Sequence, residues 1–163
     1  VLMFNIVLVH PQIPQNTGAI GRLCINANLK LHIVKPTIFS LDEKSVRRAG
    51  LDYWKKLNPT IWDSLDDFMA ANGDKISRFW FSTTKSKRLY FTADFKKDDF
   101  IFFGGESTGL PMNFMQKNWQ NAITIPMGNE GRSLNLAMSV GIVAYEAIRQ
   151  NIGAFENVRG YQI

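Results

Sequence analysis

IPMGNEGRSLNLAMSVGIVAYEA, residues Ile125 to Ala147, is the stretch on which the reading of this chain turns. It starts as the end of a strand, passes through a loop holding Gly128, Asn129 and Gly131, and opens at Arg132 and Ser133 into a long apolar helix. Such a junction leaves backbone N–H groups unpaired and sets a guanidinium and side-chain amides beside them, which suits a polar ligand at a helix N-terminus. A cofactor is therefore expected there. Along the helix, Leu136, Val140, Val143 and Ala147 form one stripe and Met138, Ile142 and Tyr145 another. A helix apolar on two sides needs two partners. One sheet supplies the first, and a second subunit is expected as the other, with Gly141 permitting close approach; full burial within one chain is the competing reading.

Working outward, the rest of the chain alternates strands and helices. Phe4 to Val9 is a short continuous run of branched apolar residues, as in a strand buried on both faces of a parallel sheet. The segment HPQIPQNTGAIGRLC follows, where two prolines stiffen a loop, Asn16 or Thr17 is placed to cap a helix, and Ile20, Cys24 and Ala27 share one face. Arg22 lies off that face, and from spacing alone it reads as a solvated charge. Lys30 to Val34 predicts a second strand. Ser40 to Glu43 has capping-box spacing for a short helix running through Arg47 and Arg48 to Gly50. Asp63 or Ser64 caps a helix carrying Leu65, Phe68 and Met69; Arg78 to Thr83 and Phe100 to Phe103 are further strands. The cations of TKSKR (Thr84 to Arg88) follow a strand end, on the edge where open α/β sheets bind ligands.

This alternation predicts a single-domain α/β fold over residues 1–163, a mostly parallel sheet with helices on both faces. The length of 163 residues suffices for a core without disulfides. The lone cysteine, Cys24, reads as a small core hydrophobe in a reducing compartment. No run of about 20 apolar residues exists, and no basic segment precedes the apolar start, so neither a membrane span nor a signal peptide is expected and the location is taken as cytoplasmic. A net charge of +5 leans toward a polyanion such as RNA, and equally suits a plain basic domain.

Gly105 to Gly109 (GESTG) matches the nucleophile elbow of serine hydrolases. An elbow serine needs a histidine later in the chain, whereas His10 and His32 both precede Ser107. Pro111 also stands where a long helix would begin. What remains is a Gly-rich loop after a strand, where Gly104, Gly105 and Gly109 allow close backbone approach.

Together, PQNTGAIGRLC (Pro14 to Cys24), FFGGESTGLP (Phe102 to Pro111) and the opening stretch resemble the SPOUT superfamily of RNA methyltransferases, and more closely its TrmL (YibK-like) group; RRAGLDYW (Arg47 to Trp54) adds a fourth match. The resemblance covers nearly the whole chain. It implies a deep C-terminal trefoil knot, which periodicity does not reveal and which is rare among folds. It also implies a native start at Met3, with Val1 and Leu2 as added residues. The implied activity is S-adenosylmethionine-dependent 2′-O-methylation of the wobble nucleotide (cytidine or uridine 34) in the tRNA anticodon loop, releasing S-adenosylhomocysteine, by a homodimer without a metal. Methylation of another tRNA position or of rRNA is the near alternative, and an RNA- or nucleotide-binding module without chemistry the distant one.

By matching position, the resemblance assigns the cofactor to Ser82 and Thr83, Gly104 and Glu106, and Ile125, Met127, Ser133 and Leu134; at Ser82 the backbone is expected to matter more than the hydroxyl. It assigns the reacting centre to Arg22, Arg132, Asn135 and Tyr145. Arg22 is expected to orient the hydroxyl and stabilise charge, because a guanidinium is a poor base. Asn16, Arg47, Arg48, Lys85, Lys87 and Arg88 are the expected RNA contacts, Asn16 also fixing the first loop.

Overall fold

The structure is a computed structural model that describes residues 2–42, 44 and 54–155. The expected helix through Arg47 and Arg48, and most of RRAGLDYW, lie outside the described residues. Among the described residues six strands form one sheet: β1 (Phe4–Val9), β2 (Leu29–Val34), β3 (Thr60–Trp62), β4 (Phe79–Ser82), β5 (Phe100–Gly104) and β6 (Ala122–Ile123). Their order is β3-β2-β1-β5-β4-β6, and every neighbouring pair is parallel. The central strands are apolar on both faces, and alternate residues feed two cores.

Phe4, Ile6 and Leu8 of β1, with Ile101 and Phe103 of β5, face α1 (Pro14–Asn26) and the last helix. Val7, Val9, Phe79, Phe81, Phe100 and Phe102 face the other way. There Phe68 of the helix Leu65–Asn72 meets Phe100 and Phe102 edge-on, at 5.9 and 5.5 Å between centroids, and Phe114 of Met112–Gln116 closes the layer. Helices thus cover both faces, as the alternation predicts.

Beside the second core, where His32 packs against Trp62, Phe68 and Phe100, lies a part-buried polar network. Asn5 Oδ1 is 2.9 Å from His32 Nε2, and Trp62 Nε1 donates to His32 Nδ1 at 3.1 Å. Burial, with Lys30 and Lys75 adding repulsion, pushes the His32 imidazole down to about 4, so the ring is neutral and both nitrogens are used. Just ahead of β5, buried Asp99 accepts from Arg78, Trp80 Nε1 and the Lys96 amide.

Two helix starts differ from the sequence reading. The first helix begins at Pro14, with Ile13 in the cap position and no side-chain cap of its own, so Asn16 and Thr17 sit inside it. Pro at the first helical position costs no hydrogen bond, which explains the earlier start. The later described helices are α2 (Trp54–Leu57), α3 (Leu65–Asn72), α4 (Met112–Gln116) and α5 (Leu136–Gln150), and this last one does not start at Arg132. Asn135 caps it, its Oδ1 accepting from Ala137 N at 2.9 Å and Met138 N at 3.2 Å. Arg132 and Ser133 therefore belong to the loop.

Candidate functional site

Because all strands run one way, the connections leaving β1, β4, β5 and β6 gather at a single edge of the sheet. The first begins at His10, in the left-handed region at φ 55, and runs over Pro11, Gln12 and Ile13 into α1. The connection after β5, Gly105 to Leu110, folds tightly back. Gly105 bridges Gly109, Gly109 has φ 66, and a Cβ on Gly104 would collide with the backbone of Gly109 and Leu110. These glycines serve first the loop's own folding, and a Cβ on Gly105 would come within 2.6 Å of the His10 carbonyl.

A clamp joins the two connections. Glu106 Oε1 and Oε2 accept from the amides of Gln12 at 2.9 Å and Ile13 at 2.7 Å, and Gln12 Oε1 accepts from Ser107 N at 2.7 Å and Ser107 Oγ at 2.9 Å. The Glu106 carboxylate thereby caps α1 from across the sheet, supplying the anion that Ile13 cannot. Ser107, the elbow-like serine, donates its hydroxyl to an amide oxygen and not to a histidine, so nothing activates it as a nucleophile.

Between the connections after β4, β5 and β6 lies a cleft of about 310 Å³. Ser82, Thr83, Gly104, Glu106, Ile125, Met127, Ser133 and Leu134, all eight residues assigned to a cofactor, line it. Sequence reasoning did not single out Lys85 as a lining residue, nor Thr84, Leu110, Thr124 and Ser139. Leu110, Ile125 and Leu136 give apolar wall, while loop backbone and hydroxyls give donors and acceptors, a mixture typical of small-molecule sites of this size. An adenosine-bearing methyl donor fits that mixture: flat apolar surface for a base, main-chain groups for its edge.

The expected reacting centre is assembled only in part. Asn135 Nδ2 donates to Asn16 Oδ1 at 3.0 Å, tying the start of α5 to the start of α1. Asn16 is buried and committed to that bond, so it fits the role of fixing the loop and not that of a direct RNA contact. Arg22, Arg132 and Tyr145 are exposed and lie outside the cleft lining. Among the expected RNA contacts, Arg88 is spent internally. Its guanidinium donates to the carbonyls of Gln120 at 2.7 Å and Thr92 at 3.0 Å and lies over the Trp80 ring, leaving no fork for a phosphate. Lys85 and Lys87 are exposed, and Lys85 alone of the two reaches the cleft.

The two stripes of α5 separate as the sequence predicts. Leu136, Val140, Val143 and Ala147 are buried, whereas Met138 is 65 %, Ile142 37 % and Tyr145 48 % exposed. The described residues thus leave the second stripe unburied. At Gly141 a Cβ would stand 3.9 Å from Leu23 of α1, an ordinary van der Waals distance, so the contact with α1 does not itself require glycine.

Comparison with known proteins places this geometry. A family model described as SpoU rRNA Methylase matches residues 3–145. A Listeria monocytogenes protein, provisionally named a tRNA (cytidine(34)-2′-O)-methyltransferase, is 44 % identical over 154 residues, covering 92 % of this chain and 90 % of its own. A Methylovorus glucosotrophus tRNA (cytidine(34)-2′-O)-methyltransferase is 41 % identical over 150 residues, covering 91 % and 96 %. A solved structure concerned with the 2-OH methylation of C/U34 on tRNA superposes with a TM-score of 0.85 at 36 % identity, covering 93 % of this chain and 98 % of that one. In fold alone, the Streptomyces viridochromogenes methyltransferase AviRb, solved with AdoMet, scores 0.78 at 23 % identity, covering 91 % and 57 %.

Proposed function

The chain belongs to the SpoU methylase family, and from that premise we propose that it transfers a methyl group from S-adenosylmethionine to the ribose 2′-hydroxyl of the wobble nucleotide, cytidine or uridine 34, of a tRNA. The observation that carries the reading is the convergence of all eight donor-binding candidates on one cleft at the carboxyl edge of the sheet. Relatives of nearly equal length that bear this activity in their names support the substrate.

The donor, when bound, supplies an electrophilic methyl on its sulfonium. The chain's task is to hold donor and ribose in line and to stabilise the charge that develops. Backbone groups of Ser82, Thr83, Gly104, Ile125 and Ser133 hold the adenosine, with Met127 and Leu134 covering it. Arg22 orients the attacking hydroxyl and its neighbouring phosphate, Arg132 takes a phosphate by a bidentate contact, and Tyr145 borders the ribose. Asn135 acts by fixing the junction of α1 and α5. Arg47, Arg48 and Lys87 supply salt-dependent contacts to the tRNA backbone, and the anticodon loop must present its base splayed out.

The remaining parts of the proposal are a homodimer across the Met138, Ile142 and Tyr145 stripe, a deep trefoil knot in the C-terminal part, and one domain working in the cytoplasm. Among the described residues no helix is long and apolar enough to cross a membrane. Arg22, Arg132 and Tyr145 are exposed and outside the cleft lining of their own chain, which supports a second copy completing the site.

The test is incubation with total tRNA and labelled donor, with the methylated nucleotide mapped by mass spectrometry. Methyl transfer to ribose 34 that is lost in Arg22→Ala while donor binding persists is the expected result. Uptake of the donor without transfer to any RNA would leave a nucleotide-binding module, and modification elsewhere would move the substrate.

A further inference from the structure

The cleft has two ionisable side chains on its wall, Glu106 and Lys85. Both oxygens of Glu106 are committed to the amides of Gln12 and Ile13. Lys85 is different: its ammonium has no ion-pair or hydrogen-bond partner among the described residues. The loop that carries it is nonetheless fixed. Thr83 Oγ1 accepts from the Lys85 amide at 3.2 Å, buried Ser86 donates to the Ala122 carbonyl at 2.7 Å, and Arg88 is anchored on Gln120. Ser86 and Arg88 are thus tied inward, and Lys85 is presented to the cleft while Lys87 is not.

A donor of the sulfonium amino acid–nucleoside type brings one carboxylate into this space. The walls otherwise offer backbone groups, hydroxyls and apolar surface, none of which carries a positive charge, and Glu106 opposes the carboxylate. We propose that Lys85 is the binding residue for the amino-acid carboxylate of the methyl donor, and so distinguishes the donor from nucleosides that lack this group. This rests on the donor-binding reading of the cleft. It moves Lys85 from the tRNA backbone, where charge and a place after a strand end had put it, to the cofactor, because position in the cleft decides between two anions that charge cannot separate.

Calorimetric titration of the full chain tests this with S-adenosylhomocysteine, with 5′-methylthioadenosine, which keeps the nucleoside and thioether but lacks the amino acid, and with tRNA. Lys85→Ala is expected to weaken S-adenosylhomocysteine about fivefold, the range of an exposed ion pair, with methylthioadenosine and tRNA unchanged. Lys85→Arg should stay within about twofold of wild type, since it keeps the cation. Equal losses for both nucleosides, or a loss confined to tRNA, would overturn the assignment while leaving the cleft as the donor site. Wild-type protein that takes up neither nucleoside would remove the donor-binding reading itself, and the Lys85 assignment with it.

Discussion

Glu106→Ala should lower stability by about 2.5 kcal/mol, through loss of the clamp. The substitution removes two acceptors, for the Gln12 amide at 2.9 Å and the Ile13 amide at 2.7 Å. A hydrogen bond to a charged group contributes about 1.5–3 kcal/mol. The Gln12 bond is part-buried and the Ile13 bond exposed, so the lower end of that range applies to the first and less to the second, together about 2 kcal/mol. An anion at the start of α1 adds about 0.3–1 kcal/mol. Glu106→Gln keeps one acceptor oxygen in place and loses the charge, for a cost of about 1–2 kcal/mol. Urea unfolding measures both, and amide exchange at Gln12 and Ile13 should quicken in the same order. An alanine variant within about 0.5 kcal/mol of wild type would refute the reasoning, since that is the scatter of neutral surface changes; the α1 start would then be held by Pro14 and Asn16 alone.

Gly104→Ala should cost more than about 3 kcal/mol or prevent folding, because its Cβ meets backbone of Gly109 and Leu110, whereas Gly109→Ala, strained at φ 66 with open space around it, should cost only about 1 kcal/mol; equal losses in denaturant melts would contradict the packing account. His32, lowered from 6.5 to about 4, binds its proton more readily in the unfolded chain, so its contribution is complete above about pH 6.5 and falls as pH drops toward 4, by up to about 3 kcal/mol. His32→Gln should flatten the stability profile between pH 6.5 and 5, and an unchanged slope would dismiss the linkage. Burial pushes the Cys24 thiol up to about 12, so alkylation at pH 8 should be at least about tenfold slower in the folded chain than in urea, and a fast-reacting native thiol would place it nearer the surface.

What the sequence disclosed, and what it withheld, divides by range. The central strands were legible because a strand buried on both faces leaves an unbroken apolar run, as in Phe4 to Val9 and Phe100 to Phe103. The edge strand β3 was not: it has three residues, and Ile61 is 39 % exposed, so it leaves neither a run nor an alternation to detect. The start of α1 was misplaced because its cap is Glu106, ninety-three residues away from Ile13, and no local pattern announces that β1 and β5 lie side by side. Asn135 did carry a local signal, an asparagine before an apolar run, but the polar residues Arg132 and Ser133 ahead of it concealed the boundary. Arg88 was read from its charge and its place after a strand end as an RNA contact, yet its value is set by the carbonyls of Gln120 and Thr92, which only the fold brings to it.

The stretch from Ile125 to Ala147 then acquires a physical division of labour. Met127 and Leu134 line the cleft and are 41 % and 38 % exposed, so the loop offers the cleft apolar side chains that the described residues leave partly uncovered. Asn135 spends its oxygen on the α5 amides and its amide group on Asn16, fixing the angle at which the loop enters the helix. Beyond it, Val140 and Val143 anchor α5 to the core while Met138, Ile142 and Tyr145 face outward. A copy of the chain seated on that outward stripe would press on a helix whose first cap also sets the cleft wall. Under the proposed dimer, assembly and donor binding therefore act on one rigid junction, and weakening Asn135–Asn16 should loosen both together.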